Sequence, residues 1–281
     1  TLLSKDSSSY VGAREYILKH FYIRSIVQLG SKTFGATGNN TVIMFLEKYS
    51  EPPKRMDLVG DSVTAIMCGE ELTDWEDQAI YNGYLAQIGV SDEEYQGFVS
   101  ESTDIEGYSQ IEYFKMYVDL FVDLAEIKHL KKSNRFKRLD EKEQKKDLNR
   151  RFHLFVKACE KEKIFHFAMT YKQNTIIIIA PSDNTKQKEF LGYDWSNRKG
   201  TEGIQILSPG GKMYCETDRK AENTLAHLVR QSYAGVIPSI GGDFKEYVSV
   251  VKTSDMLNFA RPLFNKAIKT TITSFSLFES Q

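Results

Sequence analysis

The chain has 281 residues, of which 41% are hydrophobic and 12% aromatic, and this composition excludes a disordered protein. Its formal net charge of −1 excludes a global positive field that would draw the whole chain to nucleic acid. The three cysteines lack metal-ligand spacing, and no apolar run approaches the ~20 residues of a membrane span. We therefore expect a cytoplasmic protein with free thiols and no membrane partner.

The first fifty residues predict one helix and two strands. Apolar residues at the helical period predict a helix over 10–21, and β-branched residues predict a strand over 23–29. A loop rich in Gly and Asn runs from Gly30 to Asn40, and the apolar run 41–49 is typical of a strand buried on both faces. This order fits an antiparallel pair at one edge of an α/β sheet, with a domain boundary within 50–70.

The middle of the chain predicts helices. Two capping-box patterns mark helix starts, Thr73 with Glu76 and Ser91 with Glu94. Residues 108–131 predict one long helix. Residues 140–163 predict another, with Phe152 and Val156 on its apolar face.

Charge is segregated along these helices. Residues 70–126 hold fifteen Asp or Glu and one Lys, whereas residues 128–151 hold eleven Lys or Arg and four Asp or Glu. One interpretation is a pair of solvated helix faces. The other is that the basic stretch contacts phosphate, while the acidic stretch faces a basic partner or avoids DNA.

The last third of the chain mixes strand and helix patterns. Residues 176–180 have the length and composition of a buried strand, and helical patterns recur over 218–233 and 253–268. The whole chain therefore predicts a mixed α+β fold. We expect a sheet edge in residues 1–55, a helical region in 56–172 and a mixed region with terminal helices in 173–281.

The usual motifs of catalysis are absent from the sequence. It contains no GxGxxG, no P-loop pattern and no GxSxG, and its five histidines lack ligand spacing. We predict no catalytic residue, no cofactor-binding residue and no metal ligand. This argues against an independent enzyme on an unrelated α/β fold.

Two segments carry a family resemblance. The first contains AREYILKHF at 13–21, IRSIVQL at 23–29 and TFGATGNNTVIMFL at 33–46, and the second is FLGYDWSNRKGTEGI at 190–204. The first resembles the stretch just downstream of the catalytic Asn-Pro-Pro-aromatic motif of N6-adenine DNA methyltransferases. The modification subunits of type I restriction–modification systems are the most similar, and the second segment is similar to one near the C-terminal end of a subset of those subunits.

The resemblance implies the C-terminal part of such an enzyme, cut so that the cofactor and catalytic motifs are missing. Residues 10–48 would then be the last helix and the final two strands of the methyltransferase sheet. The full-length enzyme would use S-adenosylmethionine, whereas this fragment alone is expected to bind no cofactor and to be inactive. The implied partners are double-stranded DNA, a specificity subunit and possibly a restriction subunit.

The resemblance also implies a base pocket in the loop between the two strands. Such enzymes flip adenine out of the duplex, and Phe34 matches the aromatic residue that encloses the flipped base. Gly35, Thr37 and Gly38 complete the candidate pocket, and the glycines allow close backbone approach. The alternative is that Phe34 is a hydrophobic plug beneath the loop.

Further candidates for DNA contact are basic or aromatic. In the basic stretch they are Lys131, Lys132, Arg135, Lys137 and Arg138. In the second resemblance segment they are Trp195, Asn197, Arg198 and Lys199, which suit a subunit contact equally well. An alternative function follows, in which the chain is a helical module that docks a specificity subunit and does not itself contact DNA.

Overall fold

The chain passes between two structural units. The computed structural model describes residues 8–30, 41–50, 60–70, 72, 75–196, 203–206, 215, 218 and 220–260. Contacts group the chain into a helical unit, Thr1–Tyr16, Pro53–Tyr171 and Ser254–Gln281, and a sheet unit, Ile17–Pro52 and Lys172–Thr253. The sheet unit is thus assembled from two segments separated by most of the helical unit.

The helices and strands of the described residues follow the chain in this order. The α-helices are α1 Ser8–His20, α2 Gly60–Cys68, α3 Trp75–Ile88, α4 Asp92–Val99, α5 Ile105–Tyr108, α6 Glu112–Asp123, α7 Ala125–Lys132, α8 Asn134–Lys137, α9 Glu141–Tyr171, α10 Asn184–Leu191 and α11 Leu225–Tyr233. The strands are β1 Phe21–Leu29, β2 Thr41–Lys48, β3 Asn174–Ile179, β4 Tyr193–Ser196, β5 Gly203–Ile206 and β6 Val248–Lys252. Short 3-10 helices occupy Gly242–Phe244 and Thr253–Met256.

The sheet unit is built on a four-stranded mixed sheet of order β2-β1-β3-β6. Its two central strands, β1 and β3, are parallel, with Val27 opposite Ile178. The outer strands are antiparallel to their neighbours, with Ile43 opposite Val27 and Val248 opposite Ile178. Strands β4 and β5 form a separate antiparallel pair. The nearly continuous β-branched sequence of β3 suits a central strand, and its residues 175–178 are all buried.

The core of the sheet unit lies between this sheet and two helices. Side chains of β1 and β3 pack against α10 and α11, with Leu29 and Ile178 fully buried. Asp183 caps the start of α10 by accepting hydrogen bonds from the amides of Thr185 and Lys186. The helix ends at Gly192, whose φ of +74° is a left-handed conformation that glycine adopts without strain.

The helical unit is organised around α9, a helix of 31 residues. Helices α2, α3 and α6 pack against it. Its core is aromatic: Phe98, Phe114 and Phe152 are fully buried, and the Phe98 and Phe114 ring centroids lie 5.0 Å apart. The predicted capping box at α4 is present, with the Ser91 amide 2.9 Å from the Glu94 carboxylate and the Glu94 amide 3.3 Å from the Ser91 hydroxyl.

Much of the predicted order is confirmed. The expected mixed α+β fold is present, and α1, β1, β2 and β3 lie at the predicted places. The predicted helix over 140–163 corresponds to α9, which continues two turns further. The helical region predicted over 56–172 contains α2 to α9, whereas the regions 1–55 and 173–281 both supply strands to one sheet.

Strand β2 lies at one edge of the described sheet. Most of its side chains are half-buried, and Val42 is 37% exposed. The sequence predicted burial on both faces, which this chain does not show; for the full-length methyltransferase that the resemblance implies, it stays a prediction. In this chain the described strands leave that edge open.

The prediction of one long helix over 108–131 is wrong. The segment contains the end of α5, then α6, then α7, and Leu124 separates the last two with an extended ψ of 133°. The Leu124 carbonyl accepts the amides of Ile127 and Lys128, so a new helix starts there. Apolar residues continue through the break, and their periodicity therefore conceals it.

The predicted helices near the C-terminus are also too long. Helix α11 begins only at Leu225, where Thr224 caps it by accepting a hydrogen bond from the His227 amide at 3.2 Å. Of the predicted helix 253–268, residues 253–256 form a single 3-10 turn, and 261–268 lie outside the described residues. Strand β6 was not predicted.

Candidate nucleic-acid interface

Helices α7 and α8 present a basic surface because each buries only one apolar anchor. Ile127 of α7 and Phe136 of α8 are 1% and 5% exposed. Ser133 separates the two helices and caps α8 by accepting a hydrogen bond from the Phe136 amide at 3.2 Å. The residues between the anchors are exposed, except for the half-buried Leu130 and Ser133.

The five basic residues predicted to contact phosphate lie on this surface. They are Lys131, Lys132, Arg135, Lys137 and Arg138, and every one is exposed. None forms an ion pair with any residue in the part of the chain that the structure describes. We call these five residues the basic surface. Their charge is not compensated within the described chain.

Lys142 and Lys146 of α9 also form no ion pair with any described residue. The four other basic residues of the same stretch are compensated. Their ion pairs are Lys128 with Asp123 at 2.9 Å, Lys145 with Asp104 at 2.9 Å and Glu106 at 3.1 Å, Arg151 with Asp147 at 2.8 Å, and Arg150 with Asp147 at 3.1 Å. Hydrogen bonds from Arg151 and Arg150 lower the pKa of Asp147, and one from Lys145 lowers the pKa of Asp104. Of the seven basic residues in the stretch without an ion pair to a described residue, five therefore belong to the basic surface.

A groove of about 900 Å³ lies between the start of α9 and residues 101–104. Its lining combines basic and acidic side chains in equal numbers, among them Lys142, Lys146, Glu143 and Asp104. His153 also lines it but is only 5% exposed. The His153 Nε2 lies 3.3 Å from the Thr103 carbonyl oxygen, and its Nδ1 is buried without a hydrogen-bond partner among the described residues.

Burial lowers the pKa of His153, and the neighbouring Glu101 carboxylate only partly offsets this effect. The unfolded chain therefore binds a proton more readily than the folded chain, so stability is present above the ordinary pKa of 6.5 and is lost as the pH falls below it. We expect wild type to lose more stability than His153→Phe between about pH 7.5 and pH 5.5, as measured by urea denaturation. Equal losses in the two proteins would show that His153 is not the titrating group.

The remaining predicted site residues fall largely outside the described part of the chain. This applies to the base-pocket candidates Phe34, Gly35, Thr37 and Gly38, and to Asn197, Arg198 and Lys199. The strands that flank the base-pocket loop, β1 and β2, are described and pair antiparallel. Trp195 lies in β4, opposite Ile204 of β5.

Sequence reasoning missed a buried cluster inside the helical unit. Glu160 of α9 is 0% exposed, and its carboxylate accepts four tyrosine hydroxyl hydrogen bonds. The donors are Tyr84 at 2.7 Å, Tyr95 at 2.9 Å, and Tyr113 and Tyr117 at 2.5 Å each. Lys163, also fully buried, lies 3.4 Å from the carboxylate and donates to Tyr113 and Tyr117. We call these six residues the Glu160 cluster.

Burial and charge act in opposite directions in the Glu160 cluster. Burial by itself raises the pKa of Glu160, but the Lys163 ammonium and the tyrosine hydrogen bonds outweigh it and hold that pKa below its ordinary value. Burial lowers the pKa of Lys163, and burial beside the Glu160 carboxylate raises the pKa of each of the four tyrosines. The tyrosines are therefore neutral donors to an ionised carboxylate.

The Glu160 cluster is a structural element rather than a reaction site. A catalytic group must come within hydrogen-bond reach of its substrate, whereas Tyr113, the most exposed member, is only 3% exposed. Helices α3, α4, α6 and α9 each supply part of the cluster, so it ties four helices together. The only local signal in the sequence is the spacing of Glu160 and Lys163 on one helix face.

Comparisons with protein-family models, curated proteins and solved structures found no match to this chain. Within the described residues, no group of three or more His, Cys, Asp or Glu side chains is placed to hold a metal ion. No helix in that part of the chain is long and apolar enough to cross a membrane.

Proposed function

We propose that this chain is the C-terminal part of a site-specific N6-adenine DNA methyltransferase of a type I restriction–modification system, and that it holds duplex DNA by its phosphates. The observation that carries the proposal is the basic surface on α7 and α8, with five exposed cations that lack acidic partners in the described chain. Lys and Arg side chains in such a setting neutralise backbone phosphates and position the protein on the duplex.

The fold around β1 and β2 supports the same proposal. The resemblance implies a helix followed by the final two strands of a methyltransferase sheet, and α1, β1 and β2 follow that order. The edge of β2 that the described strands leave open is where the preceding part of such a sheet would pair. The base-pocket loop, with Phe34, would join these strands on the DNA side of the enzyme.

The remaining parts of the proposal concern cofactor, partners and location. S-adenosylmethionine would bind upstream motifs of the full-length enzyme, and this fragment would be inactive alone. Double-stranded DNA, a specificity subunit and possibly a restriction subunit would be the partners. The enzyme would act in the cytoplasm, where a restriction–modification system meets DNA.

Neutralising the basic surface should flatten the salt dependence of DNA binding. Because each neutralised phosphate contributes roughly 0.9 to the log–log slope of affinity against salt, changing all five residues to Gln should lower the magnitude of that slope by about 4.5. Fluorescence anisotropy with a short labelled duplex, titrated at several salt concentrations, measures both slopes.

A matched control removes the same charge elsewhere. It changes to Gln five other exposed lysines: Lys161, Lys186, Lys220, Lys245 and Lys252. We expect this control to keep the wild-type slope within about one unit, since one phosphate contact is worth roughly that much. Equal slopes for all three proteins would show that the basic surface does not contact phosphate and is a solvated helix face.

A second function is favoured by the acidic half of the helical unit. Residues 70–126 carry fifteen Asp or Glu and one Lys, and a surface of that sign suits a basic protein partner and repels DNA. The chain would then dock the specificity subunit and leave DNA to that partner. A pull-down with the specificity subunit, run beside the anisotropy titration, separates the two: subunit capture without DNA affinity supports the docking module.

A further inference from the structure

An apolar pocket of about 440 Å³ opens in the sheet unit between the sheet and α11. Val27, Ile43 and Phe45 form its sheet side, and Leu225 and Val229 form its helix side. Its volume falls within the range of small-molecule sites, roughly 300–1,000 Å³. Its apolar walls offer no hydrogen-bond partners to water, so the burial of hydrocarbon against them is favourable.

Two polar residues, Arg230 and Tyr233, also line the pocket. The Tyr233 hydroxyl donates a hydrogen bond to the Leu46 carbonyl oxygen at 3.0 Å, so its proton is already engaged. Arg230 is exposed and forms no ion pair with any described residue. The pocket therefore combines apolar walls with a single cation that lacks an acidic partner in the described chain.

This combination selects the chemistry of a ligand. A nucleobase or a sugar would leave its hydrogen-bonding groups unsatisfied against the apolar walls, which is costly. A hydrocarbon chain or ring gains from burial there. A guanidinium group binds carboxylates through two parallel hydrogen bonds, and it is permanently charged.

We propose that this pocket binds a small amphiphilic carboxylate, with its hydrocarbon between the sheet and α11 and its carboxylate on Arg230. A medium-chain fatty acid has this chemistry. The proposal rests on the pocket alone and is independent of DNA binding by α7 and α8.

The test compares a carboxylate with its uncharged analogue. Octanoate and octanol are titrated into the full chain by isothermal calorimetry, with wild type and with Arg230→Gln. We expect Arg230→Gln to weaken the affinity for octanoate about tenfold, because a charge-assisted hydrogen bond is lost. The affinity for octanol should change by less than about twofold. Arg150→Gln, which removes the same charge from α9, should leave both ligands unchanged.

A second variant tests the location of the hydrocarbon. Ala226 lines the pocket on α11, and Ala226→Trp should fill it and weaken both ligands at least about tenfold, with circular dichroism to verify folding. Failure of octanoate to bind wild type overturns the proposal, and so does octanoate affinity that does not respond to Arg230→Gln. DNA affinity is measured separately, on variants of α7 and α8. The failure of one proposal therefore does not affect the test of the other.

Discussion

Replacing Glu160 by Ala should lower the free energy of unfolding by about 3–5 kcal/mol, the usual cost of removing one partner from a buried ion pair. The substitution leaves the Lys163 ammonium without its counter-charge in a site that is 0% exposed. It also removes the acceptor of the four tyrosine hydroxyls. Urea denaturation followed by circular dichroism at neutral pH measures the loss.

Two further variants make this result specific. Glu189→Ala removes an exposed carboxylate from α10 and should change stability by less than about 0.5 kcal/mol. The double variant Glu160→Leu with Lys163→Met removes both buried charges together and should recover part of the loss. A loss below about 1 kcal/mol for Glu160→Ala would mean that the Glu160 cluster does not stabilise the helical unit.

Replacing Phe98 by Ala should cost a similar amount, about 3–5 kcal/mol, because it opens a cavity in a close-packed aromatic core. The Phe98 ring is 0% exposed. Its centroid lies 5.0 Å from that of Phe114, 5.7 Å from Tyr95 and 6.2 Å from both Tyr108 and His153. The same urea denaturation measures the change.

Val122→Ala provides the control for Phe98. Val122 lies on α6 and is 43% exposed, so its truncation should change stability by less than about 0.5 kcal/mol. Equal effects of the two substitutions would contradict a core centred on Phe98. Phe98→Leu, which keeps more of the buried volume, should fall between them.

The elements that were predictable are those with strong local signals. The β-branched residues of β1 and β3 and the Ser91–Glu94 capping box act within a few positions, so the sequence alone reveals them. The break at Leu124 was not predictable because a leucine carries no helix-stopping chemistry. Strand β6 contains three valines in five residues but is only five residues long, and short apolar runs fit helix and strand alike.

In the candidate sites too, the features with local sequence signals were predictable and those that depend on distant contacts were not. The exposed charges of the basic surface followed from composition and the short apolar anchors Ile127 and Phe136. The sequence could not predict which of the charges form ion pairs, because these pairs join separate elements. Lys145 of α9, for example, pairs with Asp104, the residue that caps α5. The Glu160 cluster depends on tyrosines up to 76 positions away, and their convergence is a property of helix packing that no local pattern encodes.

The parallel pairing of β1 with β3 has a consequence for how the chain folds. Thr175 of β3 donates a hydrogen bond to the Ile23 carbonyl oxygen from 152 positions away. Closing a flexible loop of that length costs about 4 kcal/mol in chain entropy.

The order of synthesis also delays this pairing. Helices form early because they depend on local contacts. Helix α9 ends at Tyr171, shortly before β3 begins at Asn174. During synthesis, the pairing of β1 with β3 can therefore form only after α9 has been made. Until β3 is synthesised, the edge of β1 that β3 covers stays open to other chains, and an open strand edge favours aggregation.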